Sequence, residues 1–430
     1  MLLWVSKLCL QRQDVKSKVY CTVQSPRPSA SPVSPIVPPL KQIVAELAFR
    51  STLVPFSQAF WDLQLVDGHE LPPGPCFIYG NHSGNYDPFI YNAFTRLGQA
   101  TAGVMTMEYL ESGPIASLFR AVGIEGTRKR MPEPHLIRSI YKMLDAGRRI
   151  VIFPEGGRRW DGRPAPWIES TAKLFMRAGA PVYPVEIIGS YVAWPRWASW
   201  PRPAHIKVKV HDAVDLSGPL TLDEGLARLK APIASDETMV PQAVRPGWAF
   251  RPADGIDKLL YRDPVTREFG GVRVKGGRFV TMKGYPEPLR VLPDSRLHVA
   301  PGEPPLSTAD LYDRIRSLPL PEQASGTVLS SPASTWIIRL PGQAAGRDAE
   351  SSLEPSEKTR PATHALSLYR DRIEWGDTTI PLEKVLYMGI ERNDRLWLIS
   401  DGVQRYAHFS QGSVLAWYDT ISRLAPHINA

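Results

Sequence analysis

The sequence predicts an α/β sandwich with a mixed sheet in its first half and a mainly β region in its second. Three observations carry this expectation. Between about residues 75 and 215 short apolar runs alternate with helical segments, an order that builds parallel or mixed sheets flanked by helices. Past residue 240 helical periodicity fades and Pro, Gly and Arg become frequent. From Leu366 onward the chain reads as short strands followed by one helix. A chain of 430 residues has room for two or three such domains.

Residues 1–40 are expected to be a loose tail ending in the Pro/Ser linker QSPRPSASPVSPIVPPL. The first domain is placed at 41–240. It opens with a helical pattern from Lys41 to Leu63, which Pro55 should break or kink. Two readings fit it: a pair of surface helices on a core, or an amphipathic pair lying in a membrane interface. Glu46 and Arg50 argue against a spanning helix. Strands are expected at Cys76 to Tyr79, Ala102 to Met107, Arg149 to Phe153, Val182 to Ile188 and His205 to Val210. Helices are expected after Asp87-Pro88, a plausible cap with Pro at the first helical position, and near 111–121, 133–147 and 169–178.

Residues 241–340 are assigned to a small β unit and linker. Within it, 256–285 carry Gly-Gly turns at 270–271 and 276–277. The stretch is similar in shape to a zinc ribbon whose cysteines are missing, with Asp263 to Thr266 and Thr281 to Gly284 where two CxxC knuckles would sit. The alternative is a plain β-hairpin. A second polar linker spans 341–362. Residues 363–430 form a small β domain ending in a helix over Val414 to Leu424. Its element order is similar to a pleckstrin-homology-like barrel, and a generic small β domain fits as well.

Composition narrows the function. The net charge of +8 favours anionic partners, namely phosphates, acidic lipid surfaces or nucleic acid. No helix-turn-helix or aromatic-studded basic strand points to nucleic acid. Three widely spaced cysteines exclude a disulfide framework and a Cys-based zinc site. No run of 18 apolar residues and no signal-peptide pattern is found, so a cytoplasmic protein is expected. Trp194-Pro-Arg-Trp197-Ala-Ser-Trp200-Pro-Arg202 is either a membrane-docking segment, with Trp at the interface and Arg on headgroups, or an aromatic loop packed on the C-terminal domain.

Two segments could carry chemistry. In Asn81-His82-Ser-Gly-Asn-Tyr-Asp87 a His and an Asp flank a Gly-containing loop after a strand. Such a His can take a proton from an alcohol, and a carboxylate on its second nitrogen fixes the tautomer and supports the imidazolium. The substrate's hydroxyl would be the nucleophile, and backbone N–H groups near Gly84 could stabilise an oxyanion. In Phe153-Pro-Glu155-Gly156-Gly157-Arg158-Arg159 a strand runs into two Gly and two Arg. Gly lets N–H groups approach an anion, and Arg offers forked donors to phosphate. Glu155 can either fix an Arg or hold a substrate hydroxyl.

Together these segments resemble the glycerolipid acyltransferase family typified by 1-acylglycerol-3-phosphate acyltransferase. That family has NHxxxxD after one strand and FPEG after a later one, at a spacing similar to that between His82 and Glu155. Gly123-Ile-Glu-Gly-Thr-Arg128-Lys129 occupies the place of an intermediate basic block, and Ala180-Pro-Val-Tyr-Pro184 that of a later Val-Pro strand. The resemblance covers about 45–215. It implies His82 as general base, Asp87 as its orienting partner, and Asn81, Arg128, Glu155, Gly156, Gly157 and Arg158 as acceptor-binding residues. It also implies acyl transfer from acyl-CoA or acyl carrier protein to a lysophospholipid, with 1-acylglycerol-3-phosphate as first candidate, no metal or other cofactor, and a peripheral position on the inner face of a membrane. Gly157 stands where the family has Thr, which leaves a different lipid acceptor open. The competing class is a non-catalytic lipid-binding or scaffold protein on the same fold.

Overall fold

The computed structural model describes residues 40–66, 70–71, 74–106, 110, 114–127, 134–240, 243–245, 249–321, 326–339 and 361–428. The expected tail, most of the 341–362 linker and the basic block at Arg128 lie outside these residues. The chain forms two compact units. The first comprises 1–159, 163–193 and 204–245; the second comprises 160–162, 194–203 and 246–430.

The first unit opens with helix α1 (Leu40–Trp61). Contrary to expectation it runs unbroken through Pro55, which lies on the exposed side of the helix. Then follow β1 (Gln64–Leu65), β2 (Cys76–Gly80), α2 (Asp87–Ala93), β3 (Ala102–Thr106), α3 (Pro114–Ala121), β4 (Ile124–Thr127), α4 (Pro134–Asp145) and β5 (Arg149–Ile152). After these come α5 (Glu169–Arg177), β6 (Val182–Ile188), the short α6 (Ser190–Ala193), β7 (Lys207–Val210) and α7 (Leu222–Lys230). The sheet order is β1-β7-β6-β2-β5-β3-β4. All neighbours are parallel except β6 and β7, so the expected mixed α/β sheet is present.

Strand β2 is central and buried along its whole length, as a continuous apolar run in a two-sided sheet should be. Phe77 and Tyr79 join Ile150, Val182, Ile140, Leu144, Ala172, Phe175 and Leu229 in one core beneath α4, α5 and α7. Phe77 tilts onto Phe175 with ring centres 5.1 Å apart. Where β2 ends, Gly80 is obligatory: a Cβ there would stand 2.4 Å from Tyr91 Oη of α2 and 2.5 Å from the Val185 carbonyl oxygen.

The second unit contains a four-stranded antiparallel sheet of β8 (Arg273–Lys275), β9 (Phe279–Thr281), β10 (Leu289–Val291) and β11 (Leu297–His298), then α8 (Thr308–Ser317). Gly276 and Gly277 close the β8–β9 hairpin with φ of 59° and 69°, the left-handed pair that a tight hairpin turn demands. The two turns named in the sequence reading meet at one side chain. Buried Asp263 accepts from Val265 N (2.8 Å) and Thr266 N (2.9 Å) in the first knuckle, and from Lys283 N (2.6 Å) in the second. One carboxylate thus ties the two turns together. Burial would raise the Asp263 pKa, but these donors outweigh it and hold the carboxyl below its usual range.

The larger sheet of this unit is antiparallel: β12 (Leu329–Arg339), β13 (Ala362–Leu368), β14 (Arg372–Trp375), β15 (Thr378–Pro381), β16 (Val385–Glu391), β17 (Arg395–Ser400) and β18 (Val403–His408), with α9 (Val414–Leu424) last. A four-strand and a three-strand meander are joined by β12 pairing with β18. The sequence reading placed β12 in the preceding unit; it is the strand that joins the two halves of this sheet. Trp417 and Ile421 of α9 are buried in the same core as Leu366, Ile373 and Leu396.

The Trp-rich segment departs from one expected boundary. Expected inside the first domain, 194–203 belongs to the second unit. Trp197 is fully buried in that core. Arg202 lies over its ring and donates to Pro252 O (2.6 Å) and Ser295 Oγ (2.7 Å). Arg196 stacks over Trp160 and donates to Arg392 O at 2.7 Å. Trp200 alone of the three central Trp is substantially exposed, at 46%. Of the two readings of this segment, the packed loop is the one present.

Candidate active site

Parallel pairing of β2 with β5, in register from Cys76 with Arg149 to Tyr79 with Ile152, brings their C-terminal ends to one edge of the sheet. The loops that follow are the two motif segments. His82 Nδ1 lies 3.0 Å from Asp87 Oδ2, with 14% of the His side chain exposed and none of the Asp. Asp87 is the first helical residue of α2, immediately before Pro88, and the cap position falls to Tyr86, which makes no side-chain capping bond; the expected cap at Asp87 is absent and its carboxylate turns to His82 instead. Gly84 N also donates to Asp87 Oδ2, at 2.8 Å. That N–H is therefore spent on the carboxylate, and the expected oxyanion role near Gly84 does not pass to it. A Cβ on Gly84 would meet the Ser190 carbonyl oxygen at 2.7 Å and Asp87 Oδ1 at 3.0 Å, so the His loop packs against α6 too closely for a larger residue.

The second loop closes on the first. The Phe153 ring stacks on the His82 imidazole, with centres 4.1 Å apart at 23°. Arg159 N donates to the His82 carbonyl oxygen at 2.8 Å. Between these contacts Gly156 turns with φ of 65°, where a Cβ would stand 2.2 Å from Ile168 Cδ1. Glu155 does the first of its two expected tasks: its carboxylate takes the Arg159 fork at 2.7 and 3.0 Å, both side chains being 1% exposed. Arg159 Nη1 reaches Ser235 O at 2.8 Å. Burial pushes the Glu155 carboxyl above its usual range while Arg159 pulls it back. A buried pair of this kind needs both partners and all its hydrogen bonds, and here the fork is nearly filled.

The other predicted residues fall as follows. Asn81 is buried, donating to Ile187 O (2.7 Å) and accepting from Ile187 N (2.8 Å); it ties the His loop to the end of β6. Gly157 and half-buried Arg158 sit in the same turn as Glu155, and Arg158 is engaged with neighbouring groups. The structure thus brings His82, Asp87, Asn81, Glu155, Gly156, Gly157 and Arg158 to one edge of the sheet.

Sequence reading missed Arg159 as the partner of Glu155, and it missed Glu237. Glu237 is fully buried; Oε2 accepts from Gly189 N (2.8 Å) and Tyr191 N (3.4 Å). Glu237 Oε1, Ser190 Oγ and Asp87 Oδ1 are buried without a hydrogen-bond partner among the described residues. Burial, helped by the Asp87 charge and opposed by the Gly189 donor and by Arg159, raises the Glu237 pKa to about 8. Glu237 lies far along the chain from both motif segments and within no local motif of its own, so no sequence signal marks it.

Among known proteins, residues 63–188 match the family described as Acyltransferase. The chain is similar to a 1-acyl-sn-glycerol-3-phosphate acyltransferase of Pseudomonas aeruginosa, 25% identical over 195 residues, which are 42% of this chain and 73% of that protein. It is also similar to a 1-acyl-sn-glycerol-3-phosphate acyltransferase of Limnanthes alba, 24% identical over 34% of this chain, and spans about half (52%) of that relative's length. The crystal structure of the 1-acyl-sn-glycerophosphate (LPA) acyltransferase, PlsC, from Thermotoga maritima aligns at a TM-score of 0.37 and 18% identity, covering 47% of this chain and 84% of that one.

The Glu237 environment makes a stability prediction. Between the ordinary Glu value of about 4.3 and about 8, the native chain holds a proton that the unfolded chain releases. This group therefore lowers stability as pH rises through that window, by up to about 1.4 kcal/mol per pH unit. Glu237→Gln keeps an oxygen for Gly189 N and removes the titration. Urea unfolding at pH 5 and pH 8 should show the Gln variant gaining on the wild type as pH rises; parallel profiles would refute the assignment.

Proposed function

We propose that the chain, whose residues 63–188 match the family described as Acyltransferase, transfers a fatty acyl group from a thioester of coenzyme A or acyl carrier protein to the hydroxyl of a lysophospholipid, with 1-acylglycerol-3-phosphate as the first candidate acceptor. The observation that supports this most is the His82–Asp87 pair held against the Glu155–Arg159 turn. Asp87 fixes Nδ1, so Nε2 takes the proton of the acceptor hydroxyl as its oxygen attacks the thioester carbonyl. The C–O bond forms and the C–S bond breaks. The imidazolium, supported by the ionised Asp87, returns its proton to the departing thiolate. The Gly156-Gly157-Arg158 turn supplies donors for the acceptor phosphate. Asn81 acts as a positioning residue, holding the His loop to β6.

Position at a membrane rests on the exposed apolar residues of α1. Three of its polar residues, Gln42, Glu46 and Ser57, face inward: Gln42 Nε2 donates to Glu46 Oε1 (2.8 Å), which also accepts from Ala100 N (3.1 Å), while Glu46 Oε2 accepts from Gly98 N (2.6 Å). Five of its large apolar residues, Leu40, Val44, Leu47, Leu53 and Phe56, are between 38% and 78% exposed, while Ala45 and Trp61 are buried. An apolar stripe of this kind suits a bilayer interface, where acyl chains replace the core a soluble helix would have. Among the described residues no helix is long and apolar enough to cross a membrane, so the proposed association is peripheral.

Two experiments test these readings. Thiol release from acyl-CoA in the presence of lysophospholipid should fall by about 10³-fold or more in His82→Ala, with an unchanged circular dichroism spectrum. Retention of most of the rate would end the general-base mechanism, and absence of thiol release in the wild type beside lysophospholipid binding would favour the non-catalytic reading. For the membrane, Val44→Glu/Leu47→Glu/Phe56→Glu should abolish flotation with anionic vesicles, whereas Trp200→Ala should not. Equal flotation of the triple variant and wild type would remove α1 as the docking face.

A further inference from the structure

A basic cleft within the second unit is left unused by the acyl-transfer reading. It is an open cleft of about 770 Å³, and its polar lining includes Arg262, Thr266, Arg267, Glu268 and Arg273, with Thr327 and Ser330 on the β12 side. Arg262 is 2% exposed. Its Nε and Nη2 donate to carbonyl oxygens, Arg267 O at 2.9 Å and Pro319 O at 3.0 Å, and its guanidinium lies over the Phe269 ring. Among the described residues no carboxylate pairs with Arg262, Arg267 or Arg273. Glu268, the acid of the lining, is held by Lys283 Nζ at 3.0 Å. Thr266 Oγ1 is buried without a hydrogen-bond partner among the described residues.

A buried guanidinium bonded only to neutral carbonyls is costly, and here the neighbouring charges that press on it are Arg423 and Arg267. Burial and these two cations push its pKa down, with Tyr261 opposing. An anion in the cleft would offset all three arginines at once and offer Thr266 an acceptor. Forked Arg donors match the oxygens of a phosphate, and three guanidiniums favour a dianion over a carboxylate. The volume is that of an organic ligand, larger than a bare phosphate, and Leu320 and Leu329 give it an apolar wall. We propose that this cleft binds a phosphomonoester carrying an apolar body, at a site separate from the His82 chemistry.

The test is calorimetric titration of the full chain with octyl phosphate below its micellar concentration, with octanol as control. Saturable binding is expected for octyl phosphate and none for octanol. Arg267→Gln/Arg273→Gln, both exposed positions, should weaken it about tenfold or more, through loss of two forked cationic donors. His82→Ala should leave it intact, so loss of thiol release with retained octyl phosphate binding separates this site from the catalytic one. Displacement of octyl phosphate by phosphatidate vesicles identifies a lipid headgroup as the ligand source; displacement by inorganic phosphate alone identifies a soluble phosphomonoester. Absence of saturable binding, equal affinity in the double Arg variant, or equal binding of octanol would overturn the proposal.

Discussion

The parallel pairing of β2 with β5 is the constraint on which the site depends. The segments around His82 and Glu155, well separated in sequence, become neighbours because their strands lie side by side and point the same way. Chain direction then delivers both following loops to one edge, and the residues at the strand ends do the rest. Gly80 lets α2 approach β2, Asp87 starts that helix, and Phe153 carries the second loop over the imidazole. In open α/β sheets this carboxyl end of the strands is the general location of sites, and the buried apolar length of β2 fixes it firmly in the centre.

Burial gives the site its electrostatic character. Asp87, Glu155, Arg159 and Glu237 are withdrawn from water together, where charges interact strongly and unpaired ones are expensive. The Glu155–Arg159 fork resolves one pair. Asp87 is balanced by Gly84 N and by His82. Glu237 resolves its conflict with Asp87 by holding its proton, which is the physical content of its raised pKa. The result is an imidazole whose orientation is set from three sides: by the Asp87 carboxylate, by the Phe153 ring, and through its own backbone by Arg159.

How much of this was legible follows from the range of each interaction. The His82–Asp87 pair is local, contained in one loop, and could be read directly; the Gly156 turn follows from the need for a left-handed residue. The strands β5, β6 and β14 and the helices α4 and α9 were legible from periodicity. What the sequence hid is what depends on tertiary context. Pro55 reads as a breaker, yet α1 continues because Pro55 stands outside the packed face. Trp197 and Arg202 read as interfacial residues, yet Arg202 finds carbonyls at Pro252 and Pro293, both remote in sequence. Strand β12, interrupted by Pro332 and polar at its start, shows its identity only through its pairing with β13 and β18. Glu237 and Arg159 acquire their roles from neighbours distant in the chain or from burial, neither of which leaves a pattern.

The coupling of the two loops is open to direct measurement. Glu155 acts on the His loop through Arg159, whose side chain it grips and whose backbone N–H holds the His82 carbonyl. The rate of thiol release with a lysophospholipid acceptor should therefore fall about 10²-fold in Glu155→Gln, measured below its unfolding temperature, through loss of alignment of a distant reacting group. A folded Glu155→Gln protein with the wild-type rate would contradict the view that the two loops form one catalytic unit.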